Sequence, residues 1–287
     1  MTSPAPTTTA AGRDPVAPGR VAVVTGAASG LGRAMADRFA AEGMRVVLSD
    51  VDAGGVRDAA SELSERGADV HAVVTDVSRG EEVDRLADEA FERFGAVHVL
   101  CNNAGVVKSA RAWALTVEDW QWVLGVDLWS VIHGVRAFVP RMIAQDDGGH
   151  VVNTASMTGL LPMPRLAAYS AAKSAVVALS ESLFHDLHAE GIDIGVSVFC
   201  PGFVATRITD SARNRPTALA ATAPASGRRT VEGVQATLTA DDAAGQVVDA
   251  VRTGRFWVLT HDEYREVVLD RARGVGTDAL PVVPPVW

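Results

Sequence analysis

The chain has 287 residues, a formal net charge of −9 and 48% hydrophobic residues. This length suits one large α/β domain. The negative charge argues against a nucleic-acid-binding protein and against attraction to an anionic membrane surface. The sequence lacks a run of about 18 or more apolar residues, so we expect no membrane-spanning helix.

Both ends of the chain differ in composition from its middle. Residues 1–19 are rich in Thr, Ala and Pro without the apolar core of a secretory signal, which predicts a disordered leader and a cytoplasmic protein. We expect one domain over residues 20–275 and a C-terminal tail over 276–287, whose apolar, proline-rich end would pack on a neighbour. Cys101 and Cys200 end apolar runs and are interpreted as reduced core thiols. No metal site is predicted.

Short apolar runs alternate with stretches of helical period after the leader. The first six runs are rich in valine and do not alternate with polar residues, which is typical of parallel strands covered on both faces. The predicted strands are Val21–Thr25, Arg45–Asp50, Val70–Thr75, Val97–Cys101, His150–Ala155, Ile192–Phe199 and Phe256–Thr260.

The segments between these runs predict the fold class. Trp120–Arg141 and Tyr169–Glu190 each place apolar residues on one helical face, and a helix from about Asp241 to Thr253 precedes the last strand. The alternation predicts a single α/β domain with a doubly wound, Rossmann-type, mostly parallel seven-stranded sheet and helices on both faces. Its ligand crevice should lie beyond the carboxyl ends of the strands. Residues 207–238 show little periodicity and are predicted to form a mobile substrate lid.

A glycine-rich turn follows the first predicted strand directly and leads into a helix. Glycine allows close backbone approach, and a helix N-terminus offers unpaired N–H groups and a positive dipole end to a pyrophosphate. The position of the turn in an alternating pattern therefore predicts dinucleotide binding. The candidate residues are Gly26, Ser29, Gly30, Leu31 and Gly32.

Acidic residues end the second and third predicted strands. Asp50 can accept hydrogen bonds from the adenine-ribose hydroxyls and would repel a 2′-phosphate, and the next residue, Val51, supplies no cation, which favours NAD over NADP. The alternative for Asp50 is a solvated strand end or a helix cap. Asp76 and Val77 are candidates for the adenine end of the site, although Asp76 could equally cap the following helix.

Further motifs occur in order along the chain. Asn103, Ala104 and Gly105 follow the fourth predicted strand, Ser156 follows the fifth, and Tyr169 precedes Lys173 by four residues. Pro201 and Gly202 follow the sixth strand, with Val204 and Thr206 shortly after. Together with the glycine loop, these motifs resemble those of short-chain dehydrogenases/reductases over about Val21 to Thr260.

The resemblance implies roles for these residues. Ser156, Tyr169 and Lys173 would be catalytic, and Lys173 would also hold the nicotinamide-ribose hydroxyls. Asn103, Ala104 and Gly105 would line the cofactor cleft, followed by Pro201 and Gly202. Val204 and Thr206 would fix the nicotinamide carboxamide. The family usually has an asparagine where this chain has Asp127, which we interpret as a proton-relay residue.

Physical reasoning supports the Tyr169–Lys173 pair independently. Residues four apart share a helix face, and a phenol with a pKa near 10 is too weakly acidic to act as a base at neutral pH. A lysine charge roughly 4 Å away is worth about 4 kcal/mol at an effective dielectric of about 20, enough to lower the phenol pKa by up to about three units. Ser156, thirteen residues before Tyr169, can hydrogen-bond the substrate oxygen.

The sequence therefore predicts an NAD(H)-dependent oxidoreductase that interconverts a secondary alcohol and a ketone, with Tyr169 as general acid/base. The alternatives are a non-catalytic NAD(H)-binding sensor or scaffold and a non-redox enzyme on the same fold. The substrate is predicted to be a small, apolar molecule, from residues that would equally serve as packing: Met157, Leu160, Leu161, Met163, Pro164 and Phe203. By resemblance, Trp120–Arg141 and Tyr169–Glu190 would form a dimer face within a homotetramer.

Overall fold

The computed structural model of the protein describes residues 14–219 and 238–281. Seven strands form one sheet in the order β3-β2-β1-β4-β5-β6-β7, and all of the strand pairings are parallel. The strands are β1 Val21–Thr25, β2 Arg45–Asp50, β3 Val70–Val74, β4 Val99–Asn102, β5 Gly149–Thr154, β6 Ile194–Cys200 and β7 Trp257–Leu259. Each predicted strand is confirmed within two residues.

Helices cover both faces of the sheet, which confirms the predicted Rossmann-type fold. They are α1 Gly30–Ala41, α2 Ala53–Glu65, α3 Gly80–Phe94, α4 Val117–Leu124, α5 Ser130–Ala144, α6 Met157–Leu160, α7 Ala167–Ala189, α8 Ala240–Thr253 and α9 Tyr264–Gly276. Short 3₁₀ helices cover Ala112–Ala114, Ile208–Asn214 and Thr217–Leu219.

The order of the strands determines where a ligand can bind. The chain winds outward from β1 to β3 on one side and from β4 to β7 on the other, so the topological switch lies between β1 and β4. In open parallel sheets, ligands bind outside the carboxyl ends of the strands at such a switch. The segments that follow β1 and β4 should therefore border the functional site.

Apolar clusters on the two faces of the sheet hold the fold together. Phe39 of α1 belongs to one cluster and Phe138 of α5 to the other, and both side chains are fully buried. Cys101 and Cys200 are buried, free thiols, as predicted. Burial raises the pKa of the Cys200 thiol to about 12, which makes it unreactive near neutral pH.

The predicted helix Trp120–Arg141 is part of a longer helical stretch, Val117–Ala144, that contains a π-helical turn at Gly125–Trp129. Among the described residues, this stretch alone is long and apolar enough to cross a membrane, but half of its apolar window is buried inside the protein. It packs on α3 and α7, as a core helix does.

The ends of the chain differ from the sequence-based expectation. Residues 1–13 lie outside the described part, but Val16 is buried in the cluster beneath α1. The predicted leader, residues 1–19, thus includes a buried side chain, and its extent stays a prediction. Helix α9, which was not predicted, lies before the tail. Residues 282–287, and residues 220–237 of the predicted lid, lie outside the described residues.

Candidate active site

The glycine loop between β1 and α1 has no room for side chains at two of its positions. A Cβ on Gly32 would lie 2.2 Å from the carbonyl oxygen of Gly26, and one on Gly26, at φ +71°, would lie 2.9 Å from the Ala104 Cα. Thr25 fixes the neighbouring loop, because its Oγ1 accepts from Asn103 N at 2.9 Å and Ala104 N at 3.1 Å. The loop after β4 therefore packs directly on the loop after β1, and both border one cleft.

Asp50 borders the same cleft at the end of β2. Its carboxylate is largely buried and accepts from Ala28 N and Asp52 N, both at 3.0 Å. Burial raises the pKa of Asp50, and the two backbone N–H donors oppose that rise. Each carboxylate oxygen keeps a further lone pair for a ligand hydroxyl.

Asp76 and Val77 also border the cleft, at the end of β3. Asp76 Oδ1 accepts from the Ser78 backbone N–H at 3.0 Å and from the Ser78 hydroxyl at 2.6 Å. The carboxylate thus stabilises the turn that leads into α3 while it faces the cleft. The N-cap of α3 is Arg79, so Asp76 does not cap that helix, and its role at the adenine end of the site stays a prediction.

Ser156, Tyr169 and Lys173 come together at the carboxyl end of β5. The Ser156 side chain adjoins the Tyr169 phenol, closely enough to lower its pKa as a hydrogen-bonding neighbour. Lys173 Nζ lies 5.7 Å from the centroid of the Tyr169 ring and donates to the carbonyl oxygen of Thr154 at 2.8 Å. Ser156 also caps α6 by accepting from Thr158 N at 3.2 Å, so the capping role weighed for it occurs together with its contact to Tyr169.

Asp127 lies behind this cluster and is completely buried. The π-helical turn carries it inward, where its Oδ1 is 3.3 Å from Lys173 Nζ and accepts from Val106 N at 3.1 Å. Its Oδ2 is buried without a hydrogen-bond partner in the described part of the chain. Burial raises the pKa of Asp127 to about 6, against the opposing effect of the Lys173 charge.

The lowering of the Tyr169 pKa that the sequence predicted is not seen in this structure. Burial raises the pKa of the Tyr169 phenol above its ordinary value, and the nearby Asp127 carboxylate raises it further, while the hydrogen bond from Ser156 opposes the rise. The Lys173 ammonium is bonded to the Thr154 carbonyl and paired with Asp127, so its charge does not offset burial. The Tyr169 phenol is therefore protonated at neutral pH.

Most of the sequence-derived site residues line this one cleft. Those in the lining are Gly26, Ser29, Gly30, Leu31, Gly32, Asp50, Asp76, Val77, Asn103, Ala104, Gly105, Tyr169, Lys173, Pro201 and Thr206.

The other four lie next to the cleft and do not line it. Ser156 lies beside Tyr169 and Asp127 lies behind Lys173, so the cleft-lining side chains separate both residues from the cleft. Gly202 N donates to Thr260 Oγ1 at 2.9 Å, and Val204 bridges to Leu238.

The apolar residues expected near the substrate lie elsewhere. Met157 and Leu161 are buried in the cluster between α7 and β6, because their side chains turn away from the cleft. The apolar part of the cleft wall is instead formed by Val106, Trp122, Val126 and Leu219. Met157 and Leu161 are thus packing residues, and Leu160, Met163, Pro164 and Phe203 do not line the cleft either.

The described part of the predicted lid, residues 207–219, closes one side of the cleft. Ser211 Oγ accepts from Val107 N at 3.0 Å, and Arg215 Nη1 lies 2.5 Å from Asp119 Oδ1 at the start of α4. These two contacts could not be predicted from local sequence patterns, since the partner residues are about a hundred positions away along the chain. In the sequence, the arginines of this segment contribute to its composition but form no motif.

Comparison with known proteins gives the chain its family. A sequence model described as short chain dehydrogenase matches residues 20–217. The 1-deoxy-11-beta-hydroxypentalenate dehydrogenase of Streptomyces avermitilis is 40% identical over 242 residues, which cover 84% of each protein. The CLA biosynthesis dehydrogenase/reductase of Lactiplantibacillus plantarum is 32% identical over 92% of this chain and 96% of its own length.

A solved structure shows the same likeness in three dimensions. A short chain dehydrogenase/reductase from Burkholderia phymatum, crystallised in complex with NAD, superposes with a TM-score of 0.90 and is 42% identical. The superposition covers 94% of this chain and 99% of that one. The protein described here belongs to the short-chain dehydrogenase/reductase family.

Proposed function

We propose that the protein is an NAD(H)-dependent oxidoreductase that interconverts a secondary alcohol and a ketone, with Tyr169 as the general acid/base. The observation that carries this proposal is the buried cluster in which Ser156 adjoins Tyr169 and Lys173 lies 5.7 Å from the tyrosine ring. The cluster borders a cleft that begins at the glycine loop. The dehydrogenase names of the relatives agree with this chemistry.

The cleft fits a dinucleotide. The loop before α1 lacks space for a Cβ at Gly26 and Gly32, so a ligand can approach its backbone, and the N-terminus of α1 attracts negative charge. The remaining residues that would hold the cofactor lie at the start of α1, on α7 and after the ends of β2, β3, β4 and β6. They are Ser29, Gly30, Leu31, Asp50, Asp76, Val77, Asn103, Ala104, Gly105, Tyr169, Lys173, Pro201, Gly202, Val204 and Thr206.

The chain's own residues position the substrate and move its proton. When bound, the nicotinamide would accept a hydride in oxidation or donate one in reduction, and its oxidised form would add a positive charge to the site. The Ser156 hydroxyl would hydrogen-bond the substrate oxygen, and the Tyr169 phenol would donate its proton to that oxygen in reduction or remove it in oxidation. The raised pKa of Tyr169 favours the protonated form, which reduction requires.

Lys173 and Asp127 would set the electrostatic environment of this proton transfer. The Lys173 ammonium favours the ionised phenol, whereas the Asp127 carboxylate behind it opposes that effect. Since burial raises the pKa of Asp127 to about 6, the balance between these two charges changes in the physiological range. We therefore assign Asp127 as a positioning residue that acts through Lys173.

Asp50 supports a preference for NAD(H) over NADP(H). Its carboxylate borders the cleft, where it would accept from ribose hydroxyls and repel a 2′-phosphate. The next residue is Val51, which also lines the cleft and carries no charge. A phosphate at this position would therefore meet the negative charge of Asp50, and the next residue would not compensate it.

The cleft wall supports a small, apolar substrate. Trp122, Val106 and Val126 border the cleft on the side of Tyr169, and Leu219 covers them from the lid segment.

We also propose a homo-oligomer, dimer or tetramer, because the π-helical turn and α7 expose Trp129 and Phe184, at 50% and 37% of their surfaces. Light scattering of the purified protein tests this second proposal.

A substrate screen tests the function. The protein is incubated with NAD⁺ or NADP⁺ and a panel of secondary alcohols that runs from polyols to apolar ring alcohols, and the reduced cofactor is followed by its absorbance. We expect turnover with NAD⁺ and apolar alcohols. Binding of NADH without turnover of any alcohol or ketone would favour the sensor alternative, and turnover of polyols alone would contradict the apolar cleft.

A further inference from the structure

Arg213 lies at the mouth of the glycine loop, although it is distant from that loop in sequence. It belongs to the 3₁₀ helix Ile208–Asn214, and its side chain borders the cleft. Its Nη2 is 3.5 Å from the hydroxyl oxygen of Ser29, the residue that precedes α1. A cation from the lid segment thus reaches the start of α1.

The segment that carries Arg213 also fixes its guanidinium. Nη1 donates to the carbonyl oxygens of Arg207 at 3.2 Å and Asp210 at 3.0 Å, which leaves Nη2 directed towards Ser29. The nearest carboxylate, that of Asp210, is 3.0 Å from Arg207 and 3.8 Å from Arg213. The negative charge of Asp210 is therefore balanced mainly by Arg207, and the positive charge of Arg213 remains available to a ligand.

The surroundings of Ser29 are positive on both sides. The first turn of α1 contains no acidic residue, and within the described residues the Ser29 side chain makes no capping hydrogen bond. The positive end of the helix dipole therefore faces the Arg213 guanidinium. Two such groups repel each other unless an anion lies between them.

The residue just before the lid segment, Thr206, also lies next to the glycine loop. A Cβ on Gly30 would lie 3.3 Å from the Thr206 Cβ, so the chain passes the loop at van der Waals distance. Farther along, Ser211 bonds the backbone of Val107. These contacts hold Arg213 over the cleft between the loops that follow β1 and β4.

We propose that Arg213 binds the pyrophosphate of NAD(H), clamping it against the N-terminus of α1. This inference rests on the proposed function, since it assumes a dinucleotide in the cleft. A guanidinium offers several donors in one plane and matches phosphate oxygens better than a point charge does. The contact also links the lid segment to the cofactor.

Equilibrium binding tests the assignment without catalysis. The dissociation constants of NADH and ADP-ribose are measured by fluorescence and calorimetry for the wild type, Arg213→Gln and Arg213→Lys. Arg273→Gln is the matched control, because Arg273 also pairs with an aspartate three residues away but lies on α9, outside the cleft lining. Circular dichroism and thermal unfolding verify that each variant is folded.

We expect Arg213→Gln to weaken both ligands by about tenfold or more, the effect of losing a charge-assisted hydrogen bond. Arg213→Lys should lose less, and Arg273→Gln should match the wild type. Added salt should weaken the wild type more than Arg213→Gln. A folded Arg213→Gln that binds NADH within twofold of the wild type would overturn the assignment, as would a loss confined to NADH. A wild type that binds neither ligand would instead overturn the proposed function.

Discussion

Replacing Asp127 with asparagine should shift the pH dependence of catalysis. The amide keeps the shape of the side chain and an oxygen that can accept from Val106 N, but it removes the negative charge 3.3 Å from Lys173. Lys173 Nζ is 5.7 Å from the Tyr169 ring, which at an effective dielectric of about 20 corresponds to about 3 kcal/mol. Because one pKa unit is about 1.4 kcal/mol, a unit charge at a comparable distance shifts the Tyr169 pKa by up to about two units, and the loss of the Asp127 charge removes a shift that raises it.

The assay is the pH profile of kcat/KM for alcohol oxidation, which requires the ionised phenol. We expect the rising limb to move towards lower pH by one to about two units in Asp127→Asn. Glu118→Gln, which removes a carboxylate at the start of α4, should leave the limb in place. A folded Asp127→Asn with an unchanged limb, or one shifted to higher pH, would refute the electrostatic argument.

Three further variants test the cofactor loop, the choice of cofactor and the core. Gly32→Ala should weaken NADH binding at least about tenfold in calorimetry, because the new Cβ would lie 2.2 Å from a backbone carbonyl oxygen; unchanged affinity would contradict the tight turn. Asp50→Ser combined with Val51→Arg should raise the kcat/KM ratio of NADP⁺ to NAD⁺ by about 10- to 100-fold, since it exchanges a repulsive charge for a charged donor; an unchanged ratio would exclude Asp50 from cofactor selection. Burial lowers the pKa of His150 to about 3. The unfolded chain therefore takes up this proton near pH 6.5 while the folded one does not, and stability falls by up to about 1.4 kcal/mol per pH unit below that value. His150→Gln should make this acid-side slope shallower in urea unfolding, and an equal slope would show that other groups dominate.

The strands could be predicted because their signal is local. A parallel strand covered on both faces needs consecutive apolar residues, and every residue of Val21–Thr25 is indeed buried. Helical spacing likewise placed Tyr169 and Lys173 on the same helix, α7. These features depend on neighbours within a few positions, which the sequence displays directly.

Other features depend on tertiary contacts and could not be predicted in this way. Helix α9 packs Val267 and Val268 inward but exposes Leu269 and Val275, so its apolar residues show no clean period. The contact between Arg213 and Ser29 joins residues that the sequence separates by 184 positions.

The pKa of Tyr169 likewise depends on tertiary contacts that the sequence does not display. Spacing identified a lysine on the same helix, but the direction of the phenol pKa depends on burial and on Asp127. The π-helical turn that brings Asp127 inward departs from the ordinary 3.6-residue period assumed for the segment. Met157 and Leu161 illustrate a related point, since apolar composition does not distinguish a cleft wall from the core.

The most direct test of the account compares the two tyrosines of the chain. Tyr169→Phe removes the proposed acid/base, whereas Tyr264→Phe makes the same chemical change on α9, and the measurement is kcat with a substrate from the screen alongside the NADH dissociation constant. The account predicts that Tyr169→Phe loses at least about 100-fold in kcat and still binds NADH, while Tyr264→Phe keeps both. A folded Tyr169→Phe with kcat near that of the wild type would contradict it.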